Sequence, residues 1–179
     1  MRYADDVVLI TDSVSEMKEM IQELNEKGKG LTMNLSKTKI LGKGEKSIEI
    51  EIDGKRIEVV ENVTYLGQKI SWNKGTKEEV DRRIALAWKK FWSLKHILKG
   101  PFSIKNKSKI MNSCVLPTPI YGSQTWTMTK KEENKIKVTQ NAMERSILGI
   151  KKRDKIKIST IKSEMKWVNN FVWTAKRLK

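Results

Sequence analysis

An α+β fold, with short strands and one helix followed by an all-helical part, is the class this sequence predicts. Three observations carry the prediction. Up to Ser71 the apolar residues recur mainly at every second position, interrupted by one helical stretch; from Val80 onward they recur every third or fourth. Gly, Asn and Asp punctuate the first part as turn residues. The charge divides at the same place: residues 1–71 carry 11 Lys and Arg against 13 Asp and Glu, a net −2, whereas residues 72–179 carry 26 against 8, a net +18. A chain of 179 residues is long enough for one ordinary domain or two small ones with a real core.

Along the first part, Val7–Ile10 is an unbroken apolar run, three of its four residues β-branched, and predicts a buried strand directly after Tyr3-Ala4-Asp5-Asp6. Ser13 to Glu16 has the spacing of a capping box, and Val14, Met17, Ile21 and Leu24 follow at helical spacing before Gly28, so a helix spans about 13–27. Leu31, Met33 and Leu35 alternate with polar residues as a half-buried strand leading to Lys37. Ser47–Ile52 and Arg56–Val60 flank Asp53-Gly54 as a β-hairpin, and Val63–Ser71 reads as one more strand.

After Asn73-Lys74-Gly75 the period changes. Val80, Ile84, Ala87, Phe91, Leu94 and Leu98 form one apolar stripe on a long helix ending at Gly100-Pro101. Arg82, Arg83, Lys89 and Lys90 lie off that stripe. Ser103 to about Leu116 predicts a second helix stopped by Pro117 and Pro119, and Ile136, Met143 and Ile147 mark a third ending at Gly149. A basic segment, 151–179, closes the chain with a helix from Ser159 or Thr160. The expected domains are therefore 1–71, 72–150 and this basic extension, 151–179.

Composition narrows the function classes. The apolar fraction of 38% with six Trp argues against disorder, and no apolar run approaches the ~18 residues of a bilayer span. Cys114 is single, which excludes an internal disulfide framework, and one His with one Cys argues against a zinc site of the usual kind. The N-terminus lacks the order of a signal peptide, so an intracellular setting, nuclear or cytoplasmic, is expected. A basic excess confined to one part marks the half that holds a polyanion. Nucleic acid fits better than an anionic membrane, because the basic part has ordinary core-spaced helices and many Trp. Lys and Arg on the polar helix faces, Lys105, Lys107 and Lys109 among them, would neutralise phosphates without reading sequence. Trp88 and Trp92 adjoin the stripe and are expected in the core, as is Trp126.

An Asp-Asp pair alone reads as a polar turn. At the mouth of an apolar strand it can instead bind hard Mg²⁺ through oxygen. Here the chain resembles a family. Arg2-Tyr3-Ala4-Asp5-Asp6-Val7-Val8-Leu9-Ile10 is similar to the catalytic turn of reverse transcriptases, especially those of LINE-type (non-LTR) retrotransposons. Gly30 through Lys39 is similar to the segment that follows, and Tyr65-Leu66-Gly67 to the primer-grip hairpin. Cys114-Val115-Leu116-Pro117, the stretch Tyr121 to Thr127, and Ile147-Leu148-Gly149-Ile150 resemble the thumb region.

That resemblance implies a partial palm and a thumb of an RNA-directed DNA polymerase. It implies Asp5 as a ligand shared by two Mg²⁺ ions, with Asp6 a weaker contributor, and Lys37 near the departing pyrophosphate. The plainer alternative for Lys37 is a surface lysine on a strand end. Tyr3 would pack near the primer end, Tyr65, Leu66 and Gly67 would place backbone at the primer, and Arg82, Arg83, Lys89 and Lys90 would hold the template–primer. The implied partners are an RNA template, a DNA primer and deoxynucleoside triphosphates, with no membrane. The family also uses an aspartate from an earlier strand, and nucleotide-binding fingers, that these 179 residues do not contain. The isolated chain is therefore expected to lack polymerase activity, and Val7–Ile10 to show an unpaired apolar edge. A non-catalytic nucleic-acid-binding remnant and a decayed retroelement copy are the rival readings.

Overall fold

In the computed structural model, which describes residues 2–28, 33–42, 49–52, 54–72 and 75–178, the chain has an α+β fold. It divides into two compact units, Met1–Asn73 and Lys74–Lys179. Gly30, Leu31, Thr32, Ser47, Asp53 and Asn73, which entered the predicted turns and strands, lie outside the described residues.

The first unit opens on a tight antiparallel turn. Strand β1 (Arg2–Tyr3) pairs with β2 (Asp6–Val7), Tyr3 opposite Asp6, and Ala4-Asp5 forms the two-residue loop. The buried strand expected over Val7–Ile10 is corrected: the ladder ends at Val7, and Val7 and Ile10 are exposed. The unpaired edge expected over this run is not what forms at Val7, which pairs with Arg2; the exposed apolar surface is that of Val7 and Ile10. Leu9 from this run packs against the core. Helix α1 (Val14–Lys27) begins where Ser13 Oγ accepts a hydrogen bond from the Glu16 N–H at 3.2 Å, satisfying one of the donors a helix start leaves open.

The strand predicted through Leu35 is also corrected. Asn34 organises a turn instead: its carbonyl accepts from Lys37 N and Thr38 N, both at 3.0 Å, and its side chain accepts from Ser36 Oγ at 2.7 Å. An Asn that bonds its own neighbours competes with a ladder, and among the described residues from 33 onward pairing starts at β3 (Lys39–Leu41). The predicted hairpin forms as β4 (Glu51–Ile52) and β5 (Lys55–Arg56), and the chain then changes partner, with β6 (Glu58–Val60) running parallel to β3, Ile40 opposite Val59. Alternation places Ile40, Ile50, Ile52 and Ile57 inward against Ile21 of α1, an isoleucine core edged by Met17, Met33, Leu35 and Val59.

The single strand expected over Val63–Ser71 is a second hairpin, β7 (Asn62–Tyr65) and β8 (Gln68–Ser71). Leu66 and Gly67 link them with φ of 47° and 73°. Two positive φ values match the twist of a two-residue hairpin, but Leu-Gly is not among the usual dipeptides for such a turn. Gly67→Ala is expected to destabilise the hairpin by about 1 kcal/mol and Leu66→Asn to stabilise it, since Asn tolerates this region better than Leu. Amide exchange at Thr64 and Lys69 checks the pair; the same sign for both would refute the backbone account.

The second unit is helical. Helix α2 (Gly75–Ser93) buries Val80, Ala87 and Phe91, with Ile84 packed beside them. The expected continuous helix to Gly100 is broken at Leu94, whose N–H turns to Phe91 O at 3.1 Å, and resumes as α3 (Lys95–Leu98). Leu94 and Leu98 keep the stripe's phase. Helix α4 (Ile104–Ile110), capped by Ser103, passes into a wide turn at Met111–Val115 in which Leu116 N donates to Met111 O, five residues back, at 2.8 Å. Pro117, expected as a stop, opens α5 (Pro117–Ile120), because a first helical position needs no N–H.

Helix α6 (Lys130–Ile147) starts at a complete capping box, Thr129 with Glu132, and ends before Gly149. Helices α7 (Ile158–Glu164) and α8 (Phe171–Arg177) follow. They belong to the same core: Met165, Phe171 and Ala175 are buried with Phe91, Met111, Trp126 and Met143, so the basic segment from residue 151 is packed rather than appended. Two amides hold the α7–α8 connection. Asn112 donates to Trp167 O at 2.8 Å and accepts from Asn169 N at 2.9 Å, while Gln140 donates to Asn169 O at 3.1 Å and accepts from Phe171 N at 2.9 Å. Among the described residues, no helix is long and apolar enough to cross a membrane.

Candidate functional site

Asp5 and Asp6 follow from the turn that carries them. Asp5 lies in the two-residue loop and Asp6 is the first residue of β2, opposite Tyr3, and both carboxylates are exposed. Tyr3, opposite Asp6, is 64% exposed. Among the described residues, no three His, Cys, Asp or Glu side chains converge on a point that could hold a metal ion. Mg²⁺ demands near-octahedral oxygen coordination, and two such ions need several converging negative charges. Asp5 and Asp6 alone are a partial donor set, so the described residues do not fit a two-metal centre.

Lys37 is exposed on the turn that Asn34 organises, its N–H donating to Asn34 O while its ammonium faces solvent. Tyr65, Leu66 and Gly67 stand at the tip of the β7–β8 hairpin, Tyr65 opposite Gln68 and Leu66 38% exposed. Leu66, a γ-branched residue, is held at a φ of 47° at this tip, a conformation that L side chains adopt at a cost. Trp72, whose environment the sequence leaves open, is 55% exposed and its Nε1–H donates to Leu41 O at 3.1 Å.

In the helical unit the candidate cations divide. Lys89 and Lys90 are exposed on α2, and Lys105 and Lys109 on α4, as periodicity predicts. Arg83 and Lys107 correct that prediction, both being only 7% exposed. Arg83 is turned inward by Glu79, itself 3% exposed, whose Oε1 accepts from Arg83 Nε at 2.7 Å, and its guanidinium lies 4.5 Å from the Tyr121 ring centre. Arg82 grips the same carboxylate with two bonds, Nε to Oε2 at 2.8 Å and Nη2 to Oε1 at 2.7 Å. This hydrogen bonding to Glu79 raises the Arg82 pKa above its ordinary value. A buried carboxylate shared by two guanidiniums is a structural device, so Arg82 and Arg83 have less free charge for a phosphate than Lys89 and Lys90.

The aromatics divide too. Trp126 is buried as expected, but Trp92 is 47% exposed, stacked on Trp88 at a 6.0 Å centroid separation. A residue one step from a buried stripe position points about 100° away, which explains why Trp92 escapes the core that encloses Phe91. Sequence periodicity also misses a grouping: Lys99 lies with Arg145, Lys151 and Lys152, far apart in the chain, around one groove. Its legible signal is the Lys151-Lys152-Arg153 run just beyond Gly149.

No protein-family model matches the chain. No solved structure matches it. A Caenorhabditis elegans protein named as uncharacterized and transposon-derived is 31% identical to it over 162 residues, which cover 84% of this chain and 56% of that protein. The chain thus spans about half the length of the curated relative it matches, and over most of its own length it is similar to a protein named as transposon-derived.

Proposed function

We propose that this chain is a retroelement-derived portion of a reverse transcriptase, in which the helical unit grips an RNA–DNA template–primer. RNA-directed DNA polymerisation, with two Mg²⁺ ions and deoxynucleoside triphosphates, would belong to the longer protein. One observation carries the reading: α2 buries its apolar stripe while holding Lys89 and Lys90 in solvent, and α4 likewise holds out Lys105 and Lys109, within a unit whose sequence carries a large cationic excess. Lysines that neutralise phosphates release counterions and give affinity without sequence reading, which suits a surface along which a duplex moves. The Tyr3-Ala4-Asp5-Asp6 turn and the similarity to a transposon-derived protein support the polymerase assignment over other nucleic-acid binders.

Fluorescence anisotropy with a short RNA–DNA hybrid tests the reading. Three phosphate contacts would weaken binding about 40-fold between 50 and 200 mM salt. Binding that is absent at low salt, or independent of salt, would remove the gripping role and leave a decayed copy. Primer extension with Mg²⁺ is expected to yield no product from the 179-residue chain, and incorporation would overturn the assignment of chemistry to a longer protein.

A further inference from the structure

The end of α6 forms an open groove of about 330 Å³ lined by Lys99, Arg145, Ser146, Lys151 and Lys152 among others. We infer that this groove seats the phosphodiester backbone of a nucleic-acid strand, a contact separate from the outward lysines of α2 and α4. The inference rests on the nucleic-acid reading of the helical unit and adds where the backbone is held.

The local fold explains why four cations gather here. Gly149, at φ +73° with nothing within 4 Å of where a Cβ would stand, lets the chain turn sharply off the helix. Asp154 then accepts from the Lys151 N–H at 2.7 Å and closes a short turn that keeps Lys151 and Lys152 beside the groove. Arg145 comes from the last turn of α6, its Nη2 reaching Ile156 O at 3.4 Å, and Lys99 comes from the end of α3.

Among the described residues, no acidic side chain lines the groove. The nearest acids along the chain are both engaged: Glu144 is buried and paired with Lys162 Nζ at 2.7 Å, and Asp154, beside the groove, accepts from the Lys151 backbone and faces Arg153 at 4.0 Å. A helix C-terminus opposes an anion with roughly half a negative charge. That is outweighed here by four cationic side chains, and the end carbonyls are already occupied, Glu144 O by Leu148 N, Arg145 O by Ile150 N and Ser146 O by Gly149 N.

A nucleic-acid strand fits better than an isolated small phosphate because the groove is open and the cations continue beyond it. Five cations and one acid occupy residues 151–157. On the other side Lys99 Nζ lies 5.7 Å from the centre of the half-exposed Trp92 ring. A cluster of cations, followed in the chain by further exposed ones and with a half-exposed aromatic near Lys99, supplies the elements of a strand-binding surface.

The test compares three double variants of the full chain in salt-titrated anisotropy with the RNA–DNA hybrid. Lys151→Gln with Lys152→Gln is expected to weaken binding about tenfold at 50–100 mM salt and to make the log K against log salt slope shallower by about 1 to 2. Lys18→Gln with Lys55→Gln, which removes the same charge from exposed positions of the first unit, is expected to leave both unchanged. If the groove variant binds like wild type while Lys89→Gln with Lys90→Gln weakens binding, the groove assignment fails and the gripping function stands. If the wild-type chain shows no salt-dependent hybrid binding, the functional reading itself fails. Binding to phosphatidylserine vesicles that the groove variant loses, without hybrid binding, would overturn the inference in favour of a lipid headgroup.

Discussion

Phe91→Ala is expected to destabilise the helical unit by about 3–5 kcal/mol, lowering its melting temperature by roughly 12–20 °C in thermal circular dichroism. Phe91 is fully buried in the hydrophobic core cluster of the helical unit. Its ring meets Trp88 edge-on at 5.4 Å and Trp92 edge-on at 5.2 Å, so truncation removes both aromatic contacts and opens a cavity between α2 and its neighbours. The expected effect separates burial from aromaticity. Trp92→Ala removes a larger side chain, but one that is 47% exposed and already partly solvated. Its truncation also removes the stacking on Trp88 and the edge contact with Phe91, yet is expected to cost only about 1–2 kcal/mol because less apolar area leaves the core. A Trp92 variant that melts lower than the Phe91 variant would mean that the stripe's phase has been misassigned.

That contrast marks what the sequence makes legible. The helical unit reads well because 3.6-residue periodicity is a property of neighbours in sequence, and Val80, Ala87, Phe91 and Leu98 are all buried as the pattern requires. The strands read poorly. Ladders two to four residues long leave little alternation to detect, and their partners are set by contacts distant in the chain, as when β6 leaves β5 for β3. Asn34 and Pro117 show a second limit: each obeys its local chemistry, Asn by bonding its own backbone and Pro by opening a helix, yet the same residues permit the other reading. For the candidate site, exposure of Lys89 and Lys90 follows from the stripe, whereas the inward turn of Arg83 requires Glu79 and Tyr121, which the helical wheel alone does not bring together. The groove at the end of α6 is harder still, since Lys99 and Arg145 meet only after the helices pack.

Gln140→Leu is expected to cost about 3–5 kcal/mol, although it replaces a polar residue with an apolar one of similar size inside a core. Gln140 is 2% exposed and its amide is used at both ends. Nε2 donates to Glu144 Oε1 at 2.7 Å and to Asn169 O at 3.1 Å, and Oε1 accepts from Phe171 N at 2.9 Å. Leucine would satisfy none of these. The Phe171 N–H, at the start of α8, would lose its partner in a buried place, and the fully buried Glu144 carboxylate would depend on Lys162 alone while its Oε2 has no hydrogen-bond partner among the described residues. An orphaned buried donor costs about 1–3 kcal/mol and a carboxylate more. Gln140→Glu keeps an acceptor for Phe171 N but removes the donor and sets a second carboxylate against Glu144, so it should not rescue the loss. Urea denaturation followed by helical circular dichroism measures both variants. A Gln140→Leu chain within 1 kcal/mol of wild type would show that α8 is held to α6 by apolar packing of Phe171 and Ala175 alone, and that the amide clamp contributes little to the unit that carries the basic groove.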